Sequence, residues 1–161
     1  MSTVAAPPVG PGTASVVEDE DLAVGSPSTT LLITAPHEAD VAALGRRIHL
    51  AGARAAFPFV HVHGASLPTE AAGFSTLCGR LLDAARGGSL LLTEIEQMPA
   101  AVQDAFSHLL VEQENARGQV RVMTGTTASL WNGVAAGTFS ERLFYQLNVL
   151  HLVATDHVWQ R

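Results

Sequence analysis

One stretch constrains the fold more than any other: Gly87-Gly88-Ser89-Leu90-Leu91-Leu92-Thr93-Glu94-Ile95-Glu96-Gln97-Met98-Pro99. Leu90 to Leu92 are apolar without alternation. Such a run suits a strand buried on both faces, as in the middle of a parallel sheet. A strand of that kind needs a layer of helices above it and another below. Two acids, Glu94 and Glu96, follow it closely. Acids just past such a strand lie where open α/β sheets place their ligands, outside the carboxyl ends of the strands.

The rest of the chain supplies that architecture. Thr30 to Thr34 reads as a first strand, broken by Ala35-Pro36-His37. A helix is predicted over about 38–52, with Val41, Leu44 and Ile48 on one face. Arg46, Arg47 and His49 fall near its C-terminal end, where positive charge suits the helix dipole. Pro58 to His63 is a second strand, and its His61 and His63 share a face. That is the spacing of a metal pair on a strand. With no Cys, Asp or Glu within a few residues, an ordinary strand face is the expectation and a metal site is not. A helix from about 67 to 86 precedes the Leu90–Leu92 strand, and Pro99 opens another. Strands over 120–124 and 148–153 flank a short helix over 139–147. Alternation of strand and helix calls for a parallel sheet with helices on both faces.

Residues 1–28 differ. They are rich in Pro, Gly, Ala, Ser and Thr, carry the acidic knot Glu18-Asp19-Glu20-Asp21, and show neither period. They read as a flexible tail, either a solvating leader or a partner-binding acidic segment, before an α/β core over 29–161. The net charge of −6, with 9 Lys and Arg and no lysine at all, argues against a phosphate-tracking surface, so no direct DNA binding is expected. One cysteine, Cys78, allows neither an internal disulfide nor a cysteine-rich zinc site. No apolar run nears the roughly 20 residues of a membrane helix, and no signal peptide is evident. A cytoplasmic location without membrane contact is expected.

The order of segments resembles the central AAA+ domain of bacterial sigma-54-dependent transcription activators, the enhancer-binding proteins. The resemblance covers Leu31 to Val153. It rests on Leu-Leu-Ile-Thr (31–34), Arg-Arg-Ile-His (46–49), Pro-Phe-Val (58–60), Ala-Ser-Leu-Pro (65–68), the 87–99 stretch, Val-Arg-Val-Met (120–123) and residues 137–149. It implies a three-layer sandwich around a five-stranded parallel sheet of order 5-1-4-3-2, with the helical lid domain absent.

The same resemblance locates the departures. Family members carry Gly-Glu-Ser-Gly-Thr-Gly-Lys-Glu as the Walker A phosphate loop. Here that span reads Ala35-Pro36-His37-Glu38-Ala39-Asp40-Val41-Ala42. The glycines that let backbone N–H groups approach phosphates are gone, Val41 stands at the lysine position, and Glu38 and Asp40 add negative charge. At Walker B, Thr93 stands at the magnesium Asp, while Glu94 keeps the position of the catalytic glutamate. Thr127 stands at the sensor I Asn, and Ser140 and Gln146 at two arginine fingers; Arg142 falls on the family's Asp position. An arginine finger is worth roughly 10³–10⁵ in rate in other NTPases. The Gly-Ala-Phe-Thr-Gly-Ala loop that contacts sigma-54 has only a faint echo at Gly73-Phe74-Ser75-Thr76. These departures imply a pseudo-ATPase with no cofactor, acting through a protein partner such as an AAA+ regulator. The alternative is an ATP-binding transcription regulator of the sigma-54 activator type.

Overall fold

A computed structural model of the chain describes residues 16–115 and 119–154. Strands Leu31–Thr34 (β1), Phe59–His63 (β2), Ser89–Thr93 (β3), Arg121–Thr126 (β4) and Leu150–Val153 (β5) form one sheet. Its order is β2-β3-β4-β1-β5 and every neighbouring pair is parallel. This is the expected 5-1-4-3-2 order read from the other edge. The helices are Val16–Val24 (α1), Glu38–Ala51 (α2), Ala71–Ala84 (α3), Ala100–Asn115 (α4), Leu130–Ala136 (α5) and Glu141–Leu147 (α6).

Two apolar layers sandwich the sheet. Leu90 and Leu92 of β3 face Phe74, Cys78, Phe106 and Leu143, which belong to α3, α4 and α6. Leu91, between them, faces Val41, Leu44 and Ile48 of α2 on the other side. All three leucines are fully buried, which explains the unbroken apolar run. The glycine pair before β3 has its own reason. Gly87 has φ 82°, a left-handed turn residue. A Cβ on Gly88 would lie 1.8 Å from the Pro58 carbonyl oxygen, so only glycine lets the two chains meet there.

One expectation from the sequence holds and one needs correction. The stretch Gly73-Phe74-Ser75-Thr76 lies in α3, one uninterrupted helix where a single helix is expected. Phe74 is fully buried and meets Phe106 edge-on, with ring centroids 5.9 Å apart. By contrast, residues 16–24 of the expected flexible tail form α1, which packs on α2 and β5. The cause is tertiary. Arg47 grips both carboxylate oxygens of Glu20, at 2.6 and 2.7 Å. Buried Arg121 donates to the carbonyls of Ala23 (2.8 Å) and Thr29 (2.9 Å). Arg54 donates to the Pro27 carbonyl at 2.8 Å and to that of Gly87 at 2.8 Å. Ala23 is fully buried as a result. Burial, and then the charge of Arg54, pulls the Arg121 guanidinium down to about 10, still protonated at neutral pH. The first fifteen residues lie outside the described part.

His49 also has a different task from the one expected. It is 3% exposed, within hydrogen-bond distance of the Ser89 hydroxyl (2.9 Å) and of the Phe57 carbonyl (2.9 Å). The carbonyl can only accept, so Nε2–H donates to it. Burial pushes its pKa below 6.5; the bond to Phe57 opposes this, and the charges of Arg54 and Arg46 add to it. The imidazole ties α2 to the start of β3 rather than complementing a dipole.

Arg121→Met leaves two buried carbonyls without their charged donor. We expect a loss of about 2 kcal/mol or more in urea denaturation, with faster amide exchange in α1; unchanged exchange there would contradict the pinning of α1. Because the folded protein resists protonating His49 while the unfolded chain accepts a proton near pH 6.5, the stability from neutral His49 is whole above that pH. It is lost as pH falls below it. Denaturation midpoints measured from pH 7 to pH 5 should therefore fall more steeply for the wild type than for His49→Gln, and parallel curves would contradict this role.

Candidate functional site

The carboxyl ends of β1, β2, β3 and β4 meet at one edge of the sandwich, and the β1–α2 turn lies over them. Ala35 continues β1 by donating its N–H to the Thr126 carbonyl at 3.3 Å. Pro36 and His37 are exposed, and His37 caps α2 with backbone alone. Glu38 and Asp40 occupy the first turn of α2, where acids complement the helix dipole. Ala39 is exposed and Ala42 half-buried. Val41 turns inward. It is 1% exposed, and a Cβ built on Gly125 of β4 would lie 2.1 Å from its Cγ1. The isopropyl group thus fills the space above the Gly125 backbone, and the helix start sits directly on the sheet.

Next to it lies a chain of polar contacts. Thr93, fully buried at the end of β3, donates its hydroxyl to Glu38 Oε1 at 2.9 Å. The same hydroxyl lies 3.1 Å from His61 Nε2. His63 Nδ1 contacts Glu38 Oε1 directly. The Glu94 carboxyl lies beside that of Glu38, and the Ala65 N–H donates to Glu94 Oε2 at 3.3 Å. Glu94 has φ 56°, the one positive φ at a non-glycine among the described residues. A side chain in that region carries a strain of order 1 kcal/mol.

The two carboxyls shift in opposite directions. Desolvation opposes the ionisation of Glu38, but hydrogen bonds with Glu94, Thr93 and His63, and the His63 charge, outweigh it and lower its pKa. The bond to Glu38, followed by desolvation, raises Glu94. Desolvation, then the neighbouring His63, keeps His61 below the ordinary histidine range.

Sequence reasoning named Glu38, Thr93 and Glu94, and the structure brings these three together. Glu94 is half-buried, beside Glu38, and accepts from the Ala65 N–H. Arg121 lies at the opposite end of β4, paired in register with Ser89. His61 and His63 join the site although an ordinary strand face was expected; only their shared face signalled it. The remaining positions do not converge here. Ser140 caps α6, its hydroxyl accepting from Leu143 N–H at 3.2 Å. Gln146 is tied to Ser107 of α4, donating to its carbonyl at 3.2 Å. Arg142 and Thr127 are exposed. A depression of about 440 Å³ lies elsewhere, lined in part by Thr76, Arg80 and Gln113.

This sheet order, with its ligand edge at the β1–α2 turn, defines an AAA+-type P-loop NTPase fold. The chain matches the family described as Sigma-54 interaction domain over residues 30–156, and it belongs to that family. It is 33% identical over 145 residues to the nitrogen assimilation regulatory protein NtrX of Azorhizobium caulinodans, a match covering 79% of this chain and 32% of the relative. The structure of NtrX from Brucella abortus in complex with ATP superposes with a TM-score of 0.70 at 28% identity, covering 89% of this chain and 38% of that one. The P-loop NTPase domain of an E. coli sigma-54 activator gives 0.65 at 17% identity, covering 87% of this chain and 100% of that one, a likeness of fold alone. The chain spans about a third or less of the curated relatives it matches. Among the described residues, no helix is long and apolar enough to cross a membrane.

Val41 over Gly125 yields a double-mutant test. Gly125→Ala should cost about 1–3 kcal/mol by overpacking. Combined with Val41→Ala, which removes the opposing methyls, it should cost clearly less than the sum of the two single changes. Strict additivity in urea denaturation would contradict the contact.

Proposed function

We propose that this chain is a non-catalytic, AAA+-like regulatory domain that works in sigma-54-type transcription regulation by protein contact, without ATP turnover. The observation that carries the reading is the start of α2. Where relatives by resemblance place a glycine-rich loop and a lysine, Val41 is buried against Gly125 and Glu38 is bonded to Thr93 and His63. A phosphate arriving there would meet carboxylates and no cation, and like charge opposes an anionic ligand. Thr93, at the magnesium position, is committed to Glu38. Ser140 and Gln146, at the arginine-finger positions, serve as a helix cap and a tie between helices. The partner we infer is another protein of the regulatory circuit, such as an AAA+ regulator, and direct DNA binding is not part of the proposal.

A second reading, an ATP-binding regulator of the sigma-54 activator type, has one observation in its favour: the likeness at 28% identity to NtrX from Brucella abortus, whose structure is a complex with ATP.

Calorimetry with millimolar Mg-ATP separates the two. We expect no saturable heat, and a dissociation constant below about 100 μM, or roughly −5.5 kcal/mol, would favour the second reading. Glu94→Gln keeps the shape of the one retained catalytic-position acid. We expect it to alter stability by about 1 kcal/mol or less, with no phosphate release from either protein. Release by the wild type that Glu94→Gln abolishes would overturn the non-catalytic reading.

A further inference from the structure

We propose that Glu38, His61 and His63 form a binding site for a divalent transition cation of the zinc type. The three come from separate places. His61 and His63 stand two apart on β2, so the strand period turns both imidazoles to one face, with ring centroids 4.5 Å apart. Glu38 reaches them from the first turn of α2. One ligand atom from each lies within 4.8 Å of the others. Bonds of about 2.0–2.2 Å to a tetrahedral zinc set ligand atoms about 3.3–3.6 Å apart, a distance that side-chain rotation reaches from here.

Three features go beyond an ion pair between Glu38 and His63. First, the set is complete in kind: two imidazoles and a carboxylate, with solvent on the exposed His63 side for a fourth ligand. Second, the ligands are oriented by a neighbour. The Thr93 hydroxyl donates to Glu38 Oε1, so its oxygen accepts from His61 Nε2–H. That bond orients the His61 ring, as outer partners orient metal-bound histidines. Third, the Glu94 carboxyl stands beside Glu38, so a further oxygen donor is close to the two imidazoles. Nitrogen ligands favour zinc, nickel, cobalt or copper over magnesium, which prefers an all-oxygen octahedron. The cation would clamp the edge strand β2 to the start of α2, and it needs neither nucleotide nor partner. The proposal therefore stands or falls separately from the ATP reading.

The test is a zinc chloride titration of the full chain, freed of metal by chelator, at pH 7.5 without nucleotide. We expect one equivalent to bind with a dissociation constant of about 100 μM or tighter. His61→Ala, His63→Ala and Glu38→Gln should each weaken it at least about tenfold. His108→Ala, on the exposed face of α4, should leave it unchanged. Cobalt should give intense visible absorption that zinc abolishes, as a low-coordinate nitrogen and oxygen site does. Circular dichroism checks that each variant folds. Should His61→Ala fail to fold, the half-exposed His63→Ala decides. Binding weaker than about 100 μM, or binding that survives in His63→Ala, overturns the proposal.

Discussion

The fold depends on burying β3 from both sides. Leu90 and Leu92 face one apolar layer and Leu91 the other, and each is fully out of solvent. Complete burial of a leucine contributes about 1.5–3 kcal/mol. Three in a row therefore weigh heavily in a domain whose net stability is of order 5–15 kcal/mol. They also fix register. A slip of one residue would exchange the two faces of β3 and put Leu91 where Leu90 and Leu92 belong. Thr93 and Glu94 follow directly, so their positions at the ligand edge are consequences of the same packing.

The second constraint sits across from them. In this family's fold the N-terminus of the helix after β1 faces the ligand edge. Here that helix is seated on the sheet by Val41, whose side chain covers Gly125. Its first acid turns sideways, to Thr93 and His63, rather than leaving the edge open. The helix dipole is complemented by the chain's own Glu38 and Asp40. The edge here brings carboxylate and imidazole together.

Much of the sheet was legible in the sequence because each strand carries a local signal. β1, β3 and β4 are short apolar runs, and α2, α3 and α4 show helical spacing. What was not legible came from contacts between distant residues. In α1, VVEDEDLAV is nearly all acid on its middle turns and has no clear apolar face; Arg47, Arg54 and Arg121 hold it and the residues after it in place. At the site, Thr93 and Glu94 could be placed from the strand they follow. The union of Glu38 with His61 and His63 could not, because more than 20 residues separate them and only the parallel packing of β1, β4, β3 and β2 brings them to one edge. His49 was misassigned for a similar reason: its partners Ser89 and Phe57 lie outside its own helix.

Whether the start of α2 offers anything to a nucleotide can be read at its own backbone. Backbone amide shifts of residues 35–42, followed by NMR as Mg-ATP is raised to millimolar concentration, test this at the residues concerned. The closed helix start predicts that these amides stay where they are. Saturable movement centred on residues 35–42 would mean that the loop accepts phosphates after all, and would contradict the account.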